Sequence, residues 1–205
     1  MDSSRHILTV LDQITSPNKV RKKIIDAASI LYAQKGFNAT SIEEISEMAG
    51  VSLPVTHSYI RNKSEIMGMI TEDVLKMFQD NLIMMIKGID DPEEKLAIAV
   101  NIYFKVLDQQ KEKAILIYQK SNSLDKPTKS RIMQLEVDIS NIFAKIIKEG
   151  IEYGIFKRVD VDLMAYNIII VAHMWVLKRW HFKHRLSLER YLNLQLVTIM
   201  DALKQ

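Results

Sequence analysis

Apolar residues recur at intervals of three and four along almost the whole chain, the spacing of one face of an α-helix. Ile24, Ala27, Ala28, Leu31 and Tyr32 form such a stripe in a helix predicted over 18–35, and Gly36 stands after it as a left-handed stop. Thr40 or Ser41 follows as an N-cap, with Glu43 and Glu44 in the first turn, where carboxylates suit the helix dipole. Ile42, Ile45 and Met48 make the inner face of that short helix. Ala49-Gly50-Val51 reads as a tight turn. Ser52 then caps a helix of about seven residues, in whose first turn Pro54 removes no needed donor. Further helices are predicted over 64–87, 92–109, 111–123, 127–153, 160–183 and 187–204. Ahead of them all, Ile7, Leu8, Leu11 and Ile14 give a short amphipathic helix over 7–14. It is closed by Ser16-Pro17 and either packs on the body or reaches outward as an arm. Six glycines and four prolines in 205 residues leave little room for the turns of a β protein, so the predicted fold class is all-α.

Composition narrows the function classes. A hydrophobic share of 48% and a charged share of 26% describe a globular chain that packs a core without staples. The absence of cysteine excludes disulfides and thiolate metal sites. The opening residues contain no long apolar stretch and no small-residue cleavage site. The most apolar run, 168–177, is interrupted by His173 and too short to span a bilayer, so a cytoplasmic protein without a membrane partner is expected. No nucleophile elbow, glycine-rich phosphate loop or helix-borne zinc motif occurs, and the expectation is no enzyme and no cofactor. His181 and His184 stand three apart but are flanked by Lys183 and Arg185, which repel a cation, so no metal site is expected. A formal net charge of only +3 means that any nucleic-acid role rests on where the cations sit.

Two short helices joined by Ala-Gly-Val form a helix-turn-helix, the unit whose second helix enters a major groove. A packed helical hairpin carries the same pattern. A helical protein-interaction module without DNA binding is therefore the rival reading. Residues 23–66 resemble the N-terminal domain of the TetR family throughout. The matching features are Lys35-Gly36-Phe37, Thr40-Ser41-Ile42, Ile45 with Ala49, Gly50-Val51-Ser52, Tyr59, and Lys63 with Glu65-Ile66. The sequence departs from the family's commoner pattern at Pro54, Thr56 and His57.

The resemblance implies an N-terminal extension (1–17), a helix-turn-helix domain (18–66) and a ligand-sensing, dimerising domain (67–205). It implies a repressor that leaves its operator when a hydrophobic effector binds. Phosphate contacts are then expected from Lys19, Arg21 and Lys22 at the start of the first family helix. They are also expected from the helix N-terminus at Thr40 or Ser41, from the Tyr59 hydroxyl and from the Lys63 charge. Base reading falls to Ser52, Leu53, Val55, His57 and Ser58, with Leu53 and Val55 suited to thymine methyls.

Two further expectations concern the larger domain. Met164, Ile168, Val171 and Trp175 follow a helical repeat, as Leu188, Leu192, Ile199 and Leu203 nearly do, and both stripes are assigned to a homodimer interface. Effector-lining candidates are Phe78, Leu82 and Met85; Tyr103, Phe104 and Leu107; Tyr118; Phe143 and Ile147; and Ile170, His173, Met174 and Leu177. The segment 173–180 is similar to family members that respond to fatty acyl-CoA or related thioesters. Lys178, Arg179 or Arg185 would then stand at the mouth, although a hydrophobic drug or aromatic compound suits the same lining.

Overall fold

The computed structural model describes residues 17–204, so the helix expected over 7–14 lies outside the described residues. Ten α-helices occur among them: α1 (Pro17–Lys35), α2 (Ile42–Ala49), α3 (Leu53–Tyr59), α4 (Lys63–Met85), α5 (Pro92–Gln109), α6 (Lys111–Lys120), α7 (Lys126–Glu152), α8 (Val161–Leu177), α9 (Arg179–Phe182) and α10 (Leu188–Leu203). A 3₁₀ turn, Ser121–Ser123, joins α6 to α7, and no strand occurs among the described residues.

Most helix starts are fixed by a side chain that accepts from a backbone amide of the first turn. Asn62 serves Glu65 on α4, Asp91 serves Glu93 on α5 and Asp125 serves Thr128 on α7. Asp160 serves Leu163 on α8, and Ser187 serves Arg190 on α10. The helix expected over 160–183 is broken instead at Lys178, whose φ of −111° and ψ of 23° leave the helical region. Just there, Trp175 Nε1 and the Arg179 guanidinium both donate to Asp108 of α5, at 2.8 and 2.5 Å. The turn brings Phe182 back onto Trp175 and onto Tyr191 of α10. Tertiary contacts override the local periodicity.

Two apolar cores form. The N-terminal one gathers Ile24, Ile25, Ala28 and Tyr32 of α1, Ile45 of α2, and Ile66, Met67 and Ile70 of α4. The larger one centres on Phe78, Tyr103 and Phe143, rings 5.2 to 5.7 Å apart carried by α4, α5 and α7. It runs on through Ile168 and Trp175 of α8 to Leu192 and Leu203 of α10. Both cores use α4, and the changeover falls between Ile70 and Val74.

Candidate DNA interface and sensor cavity

Ser41 builds the entry to the helix-turn-helix. Its hydroxyl accepts from the Glu44 amide while the Glu44 carboxylate accepts from the Ser41 amide, a complete capping box. Gly50, at φ 61°, closes α2 in the left-handed region and turns the chain into α3. Thr56 points inward with 0% exposure, its hydroxyl 2.9 Å from that of buried Ser46. A hydroxyl pair thus locks α3 to α2 where an apolar contact is commoner, which accounts for the departure at this position. With Thr56 inward, α3 turns Pro54, Val55, His57 and Ser58 outward beside Ser52, while Leu53 and Tyr59 are half-buried.

The expected phosphate contacts divide. Lys19 and Lys22 are exposed on α1. Arg21 is committed elsewhere: its guanidinium donates to Asp73 at 2.5 Å, to Glu72 at 2.8 Å and to the Met69 carbonyl at 3.2 Å. Thr40 is 1% exposed and its hydroxyl donates to the Gly36 carbonyl, so its side chain cannot reach a phosphate. The α2 N-terminus is already served by carboxylates. Glu43 is held below the usual range by its own backbone amide and the Ser41 hydroxyl, and Glu44 by Lys35 and the Ser41 amide. The Lys63 ammonium donates to the carbonyls of Thr40, Phe37 and Asn38 at 2.7, 2.9 and 3.1 Å, and lies over the Phe37 ring. All three of its donors are used. Arg21, Thr40, Ser41 and Lys63, all expected at phosphates, thus have internal partners in this structure.

In the larger bundle, a cavity of about 200 Å³ opens between α4, α5, α6, α7 and α8. Of the residues expected to line it, Tyr103, Leu107, Tyr118 and His173 do so. Phe78, Leu82, Phe104, Phe143 and Ile147 are buried in the core beyond its wall, while Met85 and Ile170 face outward. Met174 and Leu177, half-buried on α8, do not reach it. Sequence reasoning missed the α7 wall, where Lys129, Ile132, Met133, Glu136 and Ile139 share one face. The helical spacing that leads to Phe143 and Ile147 runs back through these residues over the preceding one to four turns. Thr71 and Val74 of α4 were missed too. None of Lys178, Arg179 and Arg185 lines the cavity; Lys129, exposed, stands at its rim instead.

His173 sits between two tyrosines. The Tyr103 hydroxyl is 2.8 Å from Nε2 and the Tyr118 hydroxyl 2.5 Å from Nδ1. Burial pushes the imidazole down to about 4, so it is neutral. Burial likewise pushes Tyr118 up to about 12 and Tyr103 above its ordinary value, so both phenols keep their protons. Glu136 accepts from Tyr166 at 2.9 Å on the neighbouring wall.

The stripes expected at a dimer interface pack largely within the chain itself. Ile168 and Trp175 on α8, and Leu192, Ile199 and Leu203 on α10, are buried within the chain's own core, with Met164, Val171 and Leu188 packed against it. The helical spacing of these residues therefore serves the packing of the chain on itself. The apolar face left uncovered carries Leu163, Tyr166 and Ile170 on α8, with Leu194 and Val197 on α10.

A helix-turn-helix with an outward second helix, seated on a larger helical bundle, defines a DNA-binding transcriptional regulator. Residues 24–68 match the model of the bacterial regulatory proteins of the tetR family, and residues 89–182 match that of the tetracyclin repressor-like C-terminal domain. The chain belongs to the TetR family. It is 28% identical over 201 residues to the HTH-type transcriptional regulator HbdR of Aromatoleum sp. (strain CIB), covering 98% of this chain and 88% of that one. Among solved structures, FadR of Bacillus subtilis in complex with stearoyl-CoA superposes with a TM-score of 0.75 at 23% identity, covering 88% of this chain and 98% of that one. AibR in complex with isovaleryl coenzyme A and operator DNA superposes with a TM-score of 0.68 at 16% identity, covering 87% and 97%.

Proposed function

We propose that the chain works as a homodimer whose two α3 helices hold an operator, and that an apolar effector, a fatty acyl-CoA or similar thioester, releases it by filling the cavity. The observation that carries this reading is the position of the cavity against α4. Thr71 and Val74 line it. Between them in sequence, Glu72 and Asp73 hold Arg21 of α1, and Glu72 is also bound by Arg131 of α7. A shift of α4 against α7 is thereby passed to the helix-turn-helix. The CoA esters in the FadR and AibR structures support the effector class. The exposed Lys129 at the rim suits a phosphorylated head left outside an apolar cavity.

In this reading the reader domain (18–66) and the sensing domain (67–205) share α4. Lys19, Lys22 and Tyr59 meet phosphates, while Ser52, Leu53, Val55, His57 and Ser58 face bases. The uncovered apolar faces of α8 and α10 meet their copies. No helix among the described residues is long and apolar enough to cross a membrane, and a regulator of DNA works in the cytoplasm. Release requires the effector to prefer the displaced arrangement, since equal affinity for both states shifts nothing.

Fluorescence anisotropy with DNA from upstream of the gene tests the reading. Binding is expected to weaken on addition of medium- or long-chain acyl-CoA. An operator complex indifferent to a full panel of CoA esters would overturn the effector class.

A further inference from the structure

Tyr118 has one hydrogen more than its neighbours require. A neutral imidazole offers one N–H and one bare nitrogen, so of the two phenols flanking His173 one donates to the ring and the other accepts from it. The accepting phenol keeps an unused O–H. Tyr103 is 1% exposed among the rings of Phe78 and Phe143, and a stranded proton there would cost the full desolvation of a buried donor. Tyr118 is 40% exposed and lines the cavity, and its hydroxyl has no other partner among the described residues. The hydrogens therefore run one way: Tyr103 donates to Nε2, and Nδ1–H donates to the Tyr118 oxygen. The Tyr118 proton is left over for whatever fills the cavity.

We infer that Tyr118, oriented by His173 and Tyr103, is the specificity-determining donor of the sensor cavity, selecting apolar effectors that carry an uncharged carbonyl oxygen. The inference rests on the cavity being the effector site. Glu136, on the same lining, disfavours a carboxylate at this depth. The surrounding Val74, Leu107, Ile117 and Ile139 take the apolar remainder. Tyr118 would touch the ligand; His173 is a positioning residue.

Hexanophenone and hexylbenzene differ by the carbonyl oxygen that the donor would bind, and calorimetry on the full chain reads both. Tyr118→Phe is expected to weaken hexanophenone about fivefold to tenfold, the worth of one net hydrogen bond, and to leave hexylbenzene unchanged. The infrared carbonyl stretch of bound ketone should lie lower in the wild type than in Tyr118→Phe. His173→Gln, which retains an acceptor and a donor, should keep most of the ketone preference, whereas His173→Phe should lose it. Equal weakening of both probes, no carbonyl shift, or no binding of hexanophenone would overturn the assignment of Tyr118. Equal behaviour of the two His173 variants would overturn the relay. The effector-class reading fails separately: operator release indifferent to CoA esters, with the ketone preference intact, removes that reading and leaves Tyr118 standing.

Discussion

Burial holds the His173 ring down to about 4, against an ordinary value of 6.5. Between those two values an unfolded chain takes up the proton and the folded one does not, so stability is full above 6.5 and falls as the pH drops towards 4. The loss attributable to this group is about 3 kcal/mol at most. Urea midpoints measured across that window should fall less steeply in His173→Gln than in the wild type. Lys63 offers a second check at this scale. Lys63→Met removes three charged hydrogen bonds to carbonyls of residues 37–40 and should destabilise the protein by about 2 kcal/mol. The salt slope of operator binding should stay the same, whereas loss of a phosphate contact would reduce it by about one. The sequence made the type and place of Lys63 legible but not its partners. A long flexible side chain reaches carbonyls 23 to 26 residues away as readily as it reaches a phosphate, and only the fold chooses.

Helices were legible where local chemistry defines them. Ser41 announces its helix because a cap acts within three residues of itself, and Asn62, Asp125 and Ser187 cap theirs by the same local chemistry. The break at Lys178 was not legible, since it depends on Asp108 from another helix. Nor was the choice between the two apolar faces of α8 and α10, because periodicity gives the repeat and leaves the phase open when both faces carry large residues. Gly150 shows how closely α7 is seated. A Cβ placed there would lie 2.2 Å from the ring of Phe156, itself buried. Gly150→Ala should therefore destabilise the bundle by on the order of 2 kcal/mol through overpacking, seen as a lower thermal midpoint. An unchanged midpoint would mean that the 155–156 turn yields freely.

For the whole molecule, the uncovered apolar face sets the expected assembly. Leu163 and Val197 are 60% and 59% exposed on helices that otherwise pack inward. Leu163→Glu with Val197→Glu should give a monomer in sedimentation with an unaltered helical circular dichroism spectrum. Its operator affinity should drop by at least about a hundredfold, because each protomer then binds one half-site alone. A dimer surviving both substitutions would place the interface elsewhere. Two apolar cores meet on one helix, and no break in the sequence marks where one gives way to the other. The expected boundary after residue 66 falls one turn into α4, where apolar residues continue without a gap. That seam decides how the molecule can be recombined. Because Ile66 and Ile70 complete one core and Val74 and Phe78 the other, a chimera given a relative's reading head cannot be joined at a loop. The splice has to be made inside the helix, between Ile70 and Val74, and a head joined ahead of Glu72 and Asp73 must carry a cation at position 21 to meet them.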